Sequence, residues 1–430
     1  MFSKPDNKKL IAFLFALSLL VRLLTLAIFP TPALDSSAES HLRAAHLLMD
    51  GKGFSDPSFQ VFNPPGYPVF IAICLSLFGG DRVPVIIVQA FMDSLTIVMV
   101  YFAMKGIFDI ETALLSAGIL SFYPFSVYLT MSIASEPLFT FFLSGFVLSI
   151  IYATRSTKVW YYYASGIILG ITGLTRATTQ FVPLMVPVML ILLGKRGRES
   201  FFCGTALCLT FVLVILPWTV RNYVVLDEFI PVATGGGIVV LMGSSEKFLT
   251  IDGKPEMYQT HIPPAGSKQS QNDNFYARAG LKRHMVHLQT DPLGFVGFMA
   301  KKLARLWYAT ESGENHNLIL LSQLPIYVFA VIGVIFARMK GKASAWIPLC
   351  VVAYFVALHW LSLPLFRYMI PIMPYVIGFA SFAIVTIKNE WLCLEQKQLS
   401  PTSKHSTDGG GLQSNAITDV KIGNTGRGNL

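Results

Sequence analysis

The chain has 430 residues, 53% of them hydrophobic and only 13% charged, with a mean hydropathy of +0.57. Soluble domains carry about 25% charged residues, so an ordinary soluble globular protein is excluded. The net charge of +9 gathers mostly in short basic loops between apolar runs, which speaks of membrane orientation and not of nucleic acid.

A hydrocarbon core takes roughly 20 residues of helix, and the apolar runs recur at about that length. Spans are predicted at 10–29, 83–104, 113–131, 137–154, 160–175, 178–193, 200–219, 317–337, 344–361 and 368–387. The first is long and no small-residue cleavage site follows it, so it reads as a span and not a cleaved signal peptide. A further run, 66–79 (GYPVFIAICLSLFG), is short and sits behind Pro64-Pro65. That suits a re-entrant or interfacial helix as well as a span. Charge decides between the two. Lys4, Lys8 and Lys9 put the N-terminus in the cytoplasm. If 66–79 does not cross, Lys105, Arg155, Lys158, Lys195, Arg196, Arg198, Arg338, Lys340 and Lys342 all fall on that same side, with Arg82 the exception. The expectation is an all-α polytopic membrane protein with ten spans, or eleven if 66–79 crosses, plus external juxtamembrane helices. Its parts are a transmembrane module at 1–220 containing a first external loop at 30–82, a large external loop at 221–316, C-terminal spans at 317–387, and a disordered cytoplasmic tail at 388–430.

This topology puts several charged residues on one outer surface. The first piece is TPALDSSAESHLRAAHLLMDGKGF, where Asp35 precedes a short amphipathic helix ended by Gly51 and Gly53. Asp35 and Glu39 lie four residues apart; a helix cap is the plain role for Asp35, favoured by the helix dipole. Next comes NPPGYPVF, Asn63 to Phe70. Its prolines fix an extended entry, Gly66 allows close backbone approach, and Asn63 and Tyr67 flank them in a shaped polar loop. In SIASEPLF, Glu136 stands before Pro137 at the start of a span. Acids at the boundary of so apolar a chain usually face a cavity or partner. Arg176, Arg221 and Arg367 end or begin spans on the same face; snorkelling is the plain reading, but three outer-face arginines run against the positive-inside bias and ask for an anion.

Other features carry less. Gly235-Gly236-Gly237 reads as a loop hinge or a backbone nest for an anion. His359 and Trp360 read as packing, Arg22 and Asp93 as an intramembrane pair, and the five cysteines as buried or tail thiols without a disulfide or zinc pattern. Helices near 274–289 and 292–308 look amphipathic and suited to a membrane surface.

The ordered series of an acid after the first span, Gly51–Phe54, NPPGYPVF, LFGGDRVP, YPFSVYLTMSIASEPLF, GLTRATT, LPWTVRNY, the glycine run and FRYMIPIMP resembles the polyprenol-phosphate-dependent glycosyltransferases of the GT-C fold. The nearest group in that resemblance is the protein O-mannosyltransferases, which include the lipid A aminoarabinose transferase, and it covers about residues 10–380. It implies a plasma-membrane enzyme with its site on the outer face, moving a sugar from a polyprenyl-phosphate donor to a glycan, lipid or protein acceptor with inversion. The family's essential acid maps to Asp35, with Glu39 as the alternative base; His41 stands where the family carries a tyrosine. The second acid maps to Glu136. Asn63 stands where one group has a phosphate-contacting lysine, which leaves the phosphate to Arg176, Arg221 or Arg367. Some members hold a divalent metal between the acids, for which Asp35 and Glu136 offer hard oxygen ligands. The rival readings are a transporter or flippase of an anionic lipid or sugar, a membrane scaffold, and an O-antigen ligase or polymerase. Transporters tend to place charges at mid-membrane and to show internal repeats; here most charges gather at one face beside two long external loops, and no inverted repeat is seen.

Overall fold

The computed structural model describes residues 5–55, 61–79, 81–249, 257, 259–310 and 312–399. Among them the secondary structure is helical throughout. Helix α1 (Pro5–Ile28) leads to α2 (Ser36–Met49), α3 (Gly66–Phe78) and α4 (Arg82–Ile107). Then follow α5 (Ile110–Ser121), α6 (Pro124–Thr130), α7 (Glu136–Arg155), α8 (Trp160–Thr175), α9 (Val182–Leu192) and α10 (Gly197–Leu226). A lobe is built from α11 (Gly236–Met242), α12 (Gln269–Thr290) and α13 (Pro292–Arg305), and the chain closes with α14 (His316–Met339), α15 (Trp346–Leu361), a 3-10 turn (Phe366–Ile372) and α16 (Met373–Leu399).

Among the described residues seven helices are long and apolar enough to cross a membrane, matching the expected spans at 10–29, 83–104, 137–154, 200–219, 317–337, 344–361 and 368–387. The expected span 113–131 is a pair, α5 and α6, bent by 52° at Phe122-Tyr123, where Pro124 starts the second helix. The runs 160–175 and 178–193 form α8 and α9, of 16 and 11 residues, the latter behind a short 3-10 turn. The run 66–79 is a helix of 13 residues. At its start Gly66 abuts the last turn of α8. At its finish the chain enters α4 at Arg82, whose Nη1 donates to the Pro32 carbonyl just after α1. The start of α3 thus meets the end of α8, and the chain after it meets the end of α1.

Burial ranks the helices. The segment starting at Phe366 is 89% buried over its apolar window and α7 61%, whereas α1 is 17% and α14 22%. The first two form the centre, and the last two turn apolar flanks outward, where a bilayer would cover them. Helix α8 approaches α10 through Gly166 and Gly170, one turn apart. A Cβ on Gly166 would stand 2.3 Å from the Leu207 carbonyl oxygen, so only a small-residue stripe permits this contact. Arg22 and Asp93 meet as expected: both are buried, with Arg22 Nε 2.7 Å from Asp93 Oδ2, and Ser126 and Thr130 also donate to that carboxylate. The pair is satisfied within the bundle, which is what a buried ion pair requires.

Packing divides the chain after Ile387. Helix α16 itself runs on to Leu399, past residue 388 where disorder was expected to begin. The tail from 400 onward lies outside the described residues.

Candidate active site

The site grows from three helix starts and one turn. Asp35 has extended backbone and caps α2, its Oδ1 accepting from the Ala38 amide at 2.7 Å. Glu136 opens α7 with Pro137 behind it, so a carboxylate stands where the helix dipole is positive and where proline costs no hydrogen bond. Arg176 is the residue at which α8 stops, and Arg367 lies in the 3-10 turn before α16. These four, separated by up to 332 positions, come together.

Glu136 is the hub. Its side chain is 1% exposed, and Arg367 grips it in a fork, Nε to Oε1 at 2.6 Å and Nη2 to Oε2 at 3.3 Å. Arg176 Nη1 reaches the same Oε1 at 2.8 Å and also donates to Ser135 Oγ at 3.2 Å. The remaining fork of Arg367, Nη1, lies 3.2 Å from Asp35 Oδ2. Asp35 differs from Glu136 in exposure: 55% of its side chain is open. One carboxylate is thus sealed and permanently paired, while the other is open, with one oxygen committed to a cap and the other loosely held. The Arg176 guanidinium also lies over the rings of Phe139 and Tyr368, and His359 stacks on Tyr368. His359 is therefore packing, as expected, but packing that backs an arginine of the site.

A second layer fixes these groups. Tyr67 donates its hydroxyl to Gln89 Oε1 at 2.6 Å, and Gln89 Nε2 donates to the carbonyls of Thr130 and Ser132, the turn that leads to Glu136. His41 is buried edge-on against Tyr67, and burial pushes its imidazole down to about 4, neutral at ordinary pH. Pro64 and Pro65 are buried, and Asn63 donates to Ser40 Oγ at 3.4 Å, tying the loop to α2.

Not every expected residue joins. Glu39 is exposed on α2 and pairs with no described charge. Arg221 lies over the Trp218 ring and donates to Asn222, with no contact to Asp35 or Glu136 among the described residues. The glycine run does form an anion nest, but its occupant is Asp273 of α12, which accepts from the amides of Gly235 and Gly237 at 2.8 and 2.7 Å. Gln89 and Ser135 were missed; a glutamine inside a predicted span is the signal that marks the first. The donor set does not fit a divalent metal between Asp35 and Glu136. The Arg367 guanidinium already bridges those acids and both Glu136 oxygens are engaged, so a metal would meet two fixed cations. Among the described residues no group of three or more His, Cys, Asp or Glu side chains converges on one point.

Residues 63–220 match the family model described as dolichyl-phosphate-mannose-protein mannosyltransferase. That segment contains Asn63, Glu136 and Arg176 but neither Asp35 nor Arg367. In fold the chain is similar to the oligosaccharyltransferase of Archaeoglobus fulgidus. The apo form aligns at TM-score 0.56 and 14% identity, over 94% of this chain and 53% of that one. The same enzyme in complex with an inhibitory peptide and a dolichol-phosphate aligns at TM-score 0.55 and 13% identity over the same shares. ArnT from Cupriavidus metallidurans bound to undecaprenyl phosphate aligns at TM-score 0.45 and 13% identity, over 92% of this chain and 81% of that one. The chain spans about half the length of the archaeal enzyme. No curated protein matches by sequence. The fold is of the GT-C type, in a multi-pass membrane protein, and the resemblance read from the sequence holds over the matched segment.

Proposed function

We propose that the protein is a membrane glycosyltransferase that takes a sugar from a polyprenyl-phosphate-linked donor and passes it to an acceptor hydroxyl at the outer face of the membrane, with inversion. The observation that carries this reading is the division of labour between the acids. Glu136, buried between two arginines, holds Arg367 and Arg176 as a rigid double fork, while Asp35 stays open beside them. A preset pair of guanidiniums suits the phosphate of a lipid donor, because the fork matches its oxygens and needs no rearrangement when charge develops on the leaving group. The described intramembrane charges, by contrast, are paired with each other, which argues against a transport path.

In this mechanism the bond between the anomeric carbon and the lipid phosphate lengthens first, and Arg367 and Arg176 take up the growing phosphate charge. The sugar develops oxocarbenium character, and the acceptor hydroxyl adds from the opposite face. Asp35 Oδ2 accepts the hydroxyl proton late, so a carboxylate next to an arginine is base enough. Phosphate binding to Arg367 would release Oδ2 for that task.

The test compares membranes containing the parent protein and Asp35→Asn. Asparagine keeps the helix cap, since the two residues cap about equally well, and removes the charge together with the second acceptor oxygen. Transfer of radiolabelled sugar from polyprenyl-phosphate donors is expected to fall by about 100-fold or more, at equal protein level and unchanged thermal stability. Equal transfer by both proteins would sink the assignment of Asp35.

A further inference from the structure

Outside this site the lobe holds a groove of about 910 Å³ between the end of α11, α12 and α13. Its wall carries Lys282, Arg283 and His287 from α12 and Lys301 from α13, with Phe298 as part of the apolar floor. Among the described lining residues Glu246 is the one carboxylate, and it pairs with Lys301 at 2.9 Å. Lys282 is exposed. A concave site with an apolar floor and several cations on its wall selects an anion carried on a larger polar body.

The groove is built into the same packing that presents Arg367. Phe298 belongs to a buried cluster with Leu363 and Leu365, two residues before Arg367. Buried Lys302 donates to the carbonyls of Gly243, at the end of α11, and Leu361, at the end of α15. Gly243 itself lies so close to the Ser362 carbonyl that a Cβ would stand 1.9 Å from its oxygen. The lobe and the strap into the active site are therefore one packed layer.

We infer that this groove binds the anionic group, phosphate or carboxylate, of a saccharide that serves as acceptor. The arrangement of α12 favours a saccharide over a phospholipid headgroup. Arg283, Val286 and Thr290 line the groove, while Leu281, Met285 and Leu288 form a separate exposed apolar stripe on the other side. A lipid surface would take the stripe, which turns the groove toward water. That the occupant is a saccharide and an acceptor rests on the transferase reading; that the groove binds a phosphate or carboxylate anion does not.

The probe is fluorescently labelled pentamannosyl phosphate, titrated by anisotropy with the full chain in nanodiscs of zwitterionic lipid. Saturable binding is expected, competed by inorganic phosphate but not by unphosphorylated mannopentaose. Lys282→Glu with Lys301→Glu should weaken it about tenfold or more, since two cations become anions at the wall. Glu246→Gln should tighten it severalfold by freeing Lys301. Arg367→Gln should abolish sugar transfer and leave groove binding intact. The inference is overturned by absence of saturable binding, or by equal binding to the double variant at unchanged thermal stability. It is equally overturned by loss of binding in Arg367→Gln at unchanged thermal stability, which would place the probe in the donor site, or by displacement on doping the nanodiscs with phosphatidylglycerol, which would make the groove a headgroup site. Groove binding that persists while no donor is ever consumed would sink the transferase reading alone.

Discussion

At the scale of single residues, the two acids of the site should fail differently. Glu136 is sealed, so removing its charge strands two guanidiniums in a buried setting, a loss of about 3–5 kcal/mol. Glu136→Gln is expected to lower the thermal midpoint in detergent clearly and to abolish transfer with it. A midpoint equal to that of the parent would show that Arg367 and Arg176 find other partners. His41 supplies a pH test. It faces Asp35, Glu136, Arg176 and Arg367, and its burial holds the imidazole down at about 4, against 6.5 for the unfolded chain. Because the unfolded state binds the proton more tightly, stability is fully present above pH 6.5 and is lost as pH falls from there toward 4. The slope approaches about 1.4 kcal/mol per pH unit. His41→Phe keeps a ring against Tyr67 and should flatten that slope when midpoints are compared between pH 7 and 4.5. Equal slopes in the two proteins would remove His41 as its source.

At the scale of elements, glycine and proline decide where the helices meet. The Cβ of any residue at position 66 would stand 2.7 Å from the Leu174 carbonyl oxygen, in the last turn before Arg176. Gly66→Ala must push α3 and α8 apart, and α3 carries Tyr67, whose hydroxyl holds Gln89 and through it the turn before Glu136. The expected result is a loss of about 1–3 kcal/mol in stability, with donor affinity falling further than stability alone explains. Unchanged donor affinity at lowered stability would confine Gly66 to packing. The value of glycine here was legible in NPPGYPVF, because a glycine behind two prolines announces close backbone approach. Its partner was not, because nothing in a sequence pairs residue 66 with residue 174. The same limit governed the glycine run at 235–237. Its capacity to bind an anion was readable, but the identity of that anion, Asp273 from a helix more than thirty residues on, depends on the tertiary contact between α11 and α12. Arg221 shows the limit from the other side: its position at a span end resembles those of Arg176 and Arg367, but its guanidinium lies over the ring of Trp218, one turn earlier.

At the scale of the whole molecule, helix direction gives the charge pattern its meaning. The site end of the bundle holds the end of α1 and the starts of α3, α4 and α7. Across the bundle, the Arg155 guanidinium at the end of α7 meets the Gly106 carbonyl at the end of α4, so the basic loops expected in the cytoplasm lie away from the site. Helix α14 then descends from the neighbourhood of Ala309, whose carbonyl accepts from the Phe366 amide in the strap before Arg367, to Arg338 and Lys340. Positive loops at one end and paired acids and arginines at the other predict an outward-facing site. The check is membrane-impermeant maleimide labelling of single cysteines in intact cells, in a background where the exposed Cys393 is replaced by serine. A cysteine at Glu314, at the site end, should label from outside, and one at Lys340 only after permeabilisation. The reverse result would invert the protein in its membrane and move both donor and acceptor to the cytoplasmic face, leaving the chemistry of Asp35 and Arg367 as drawn but its substrates on the other side.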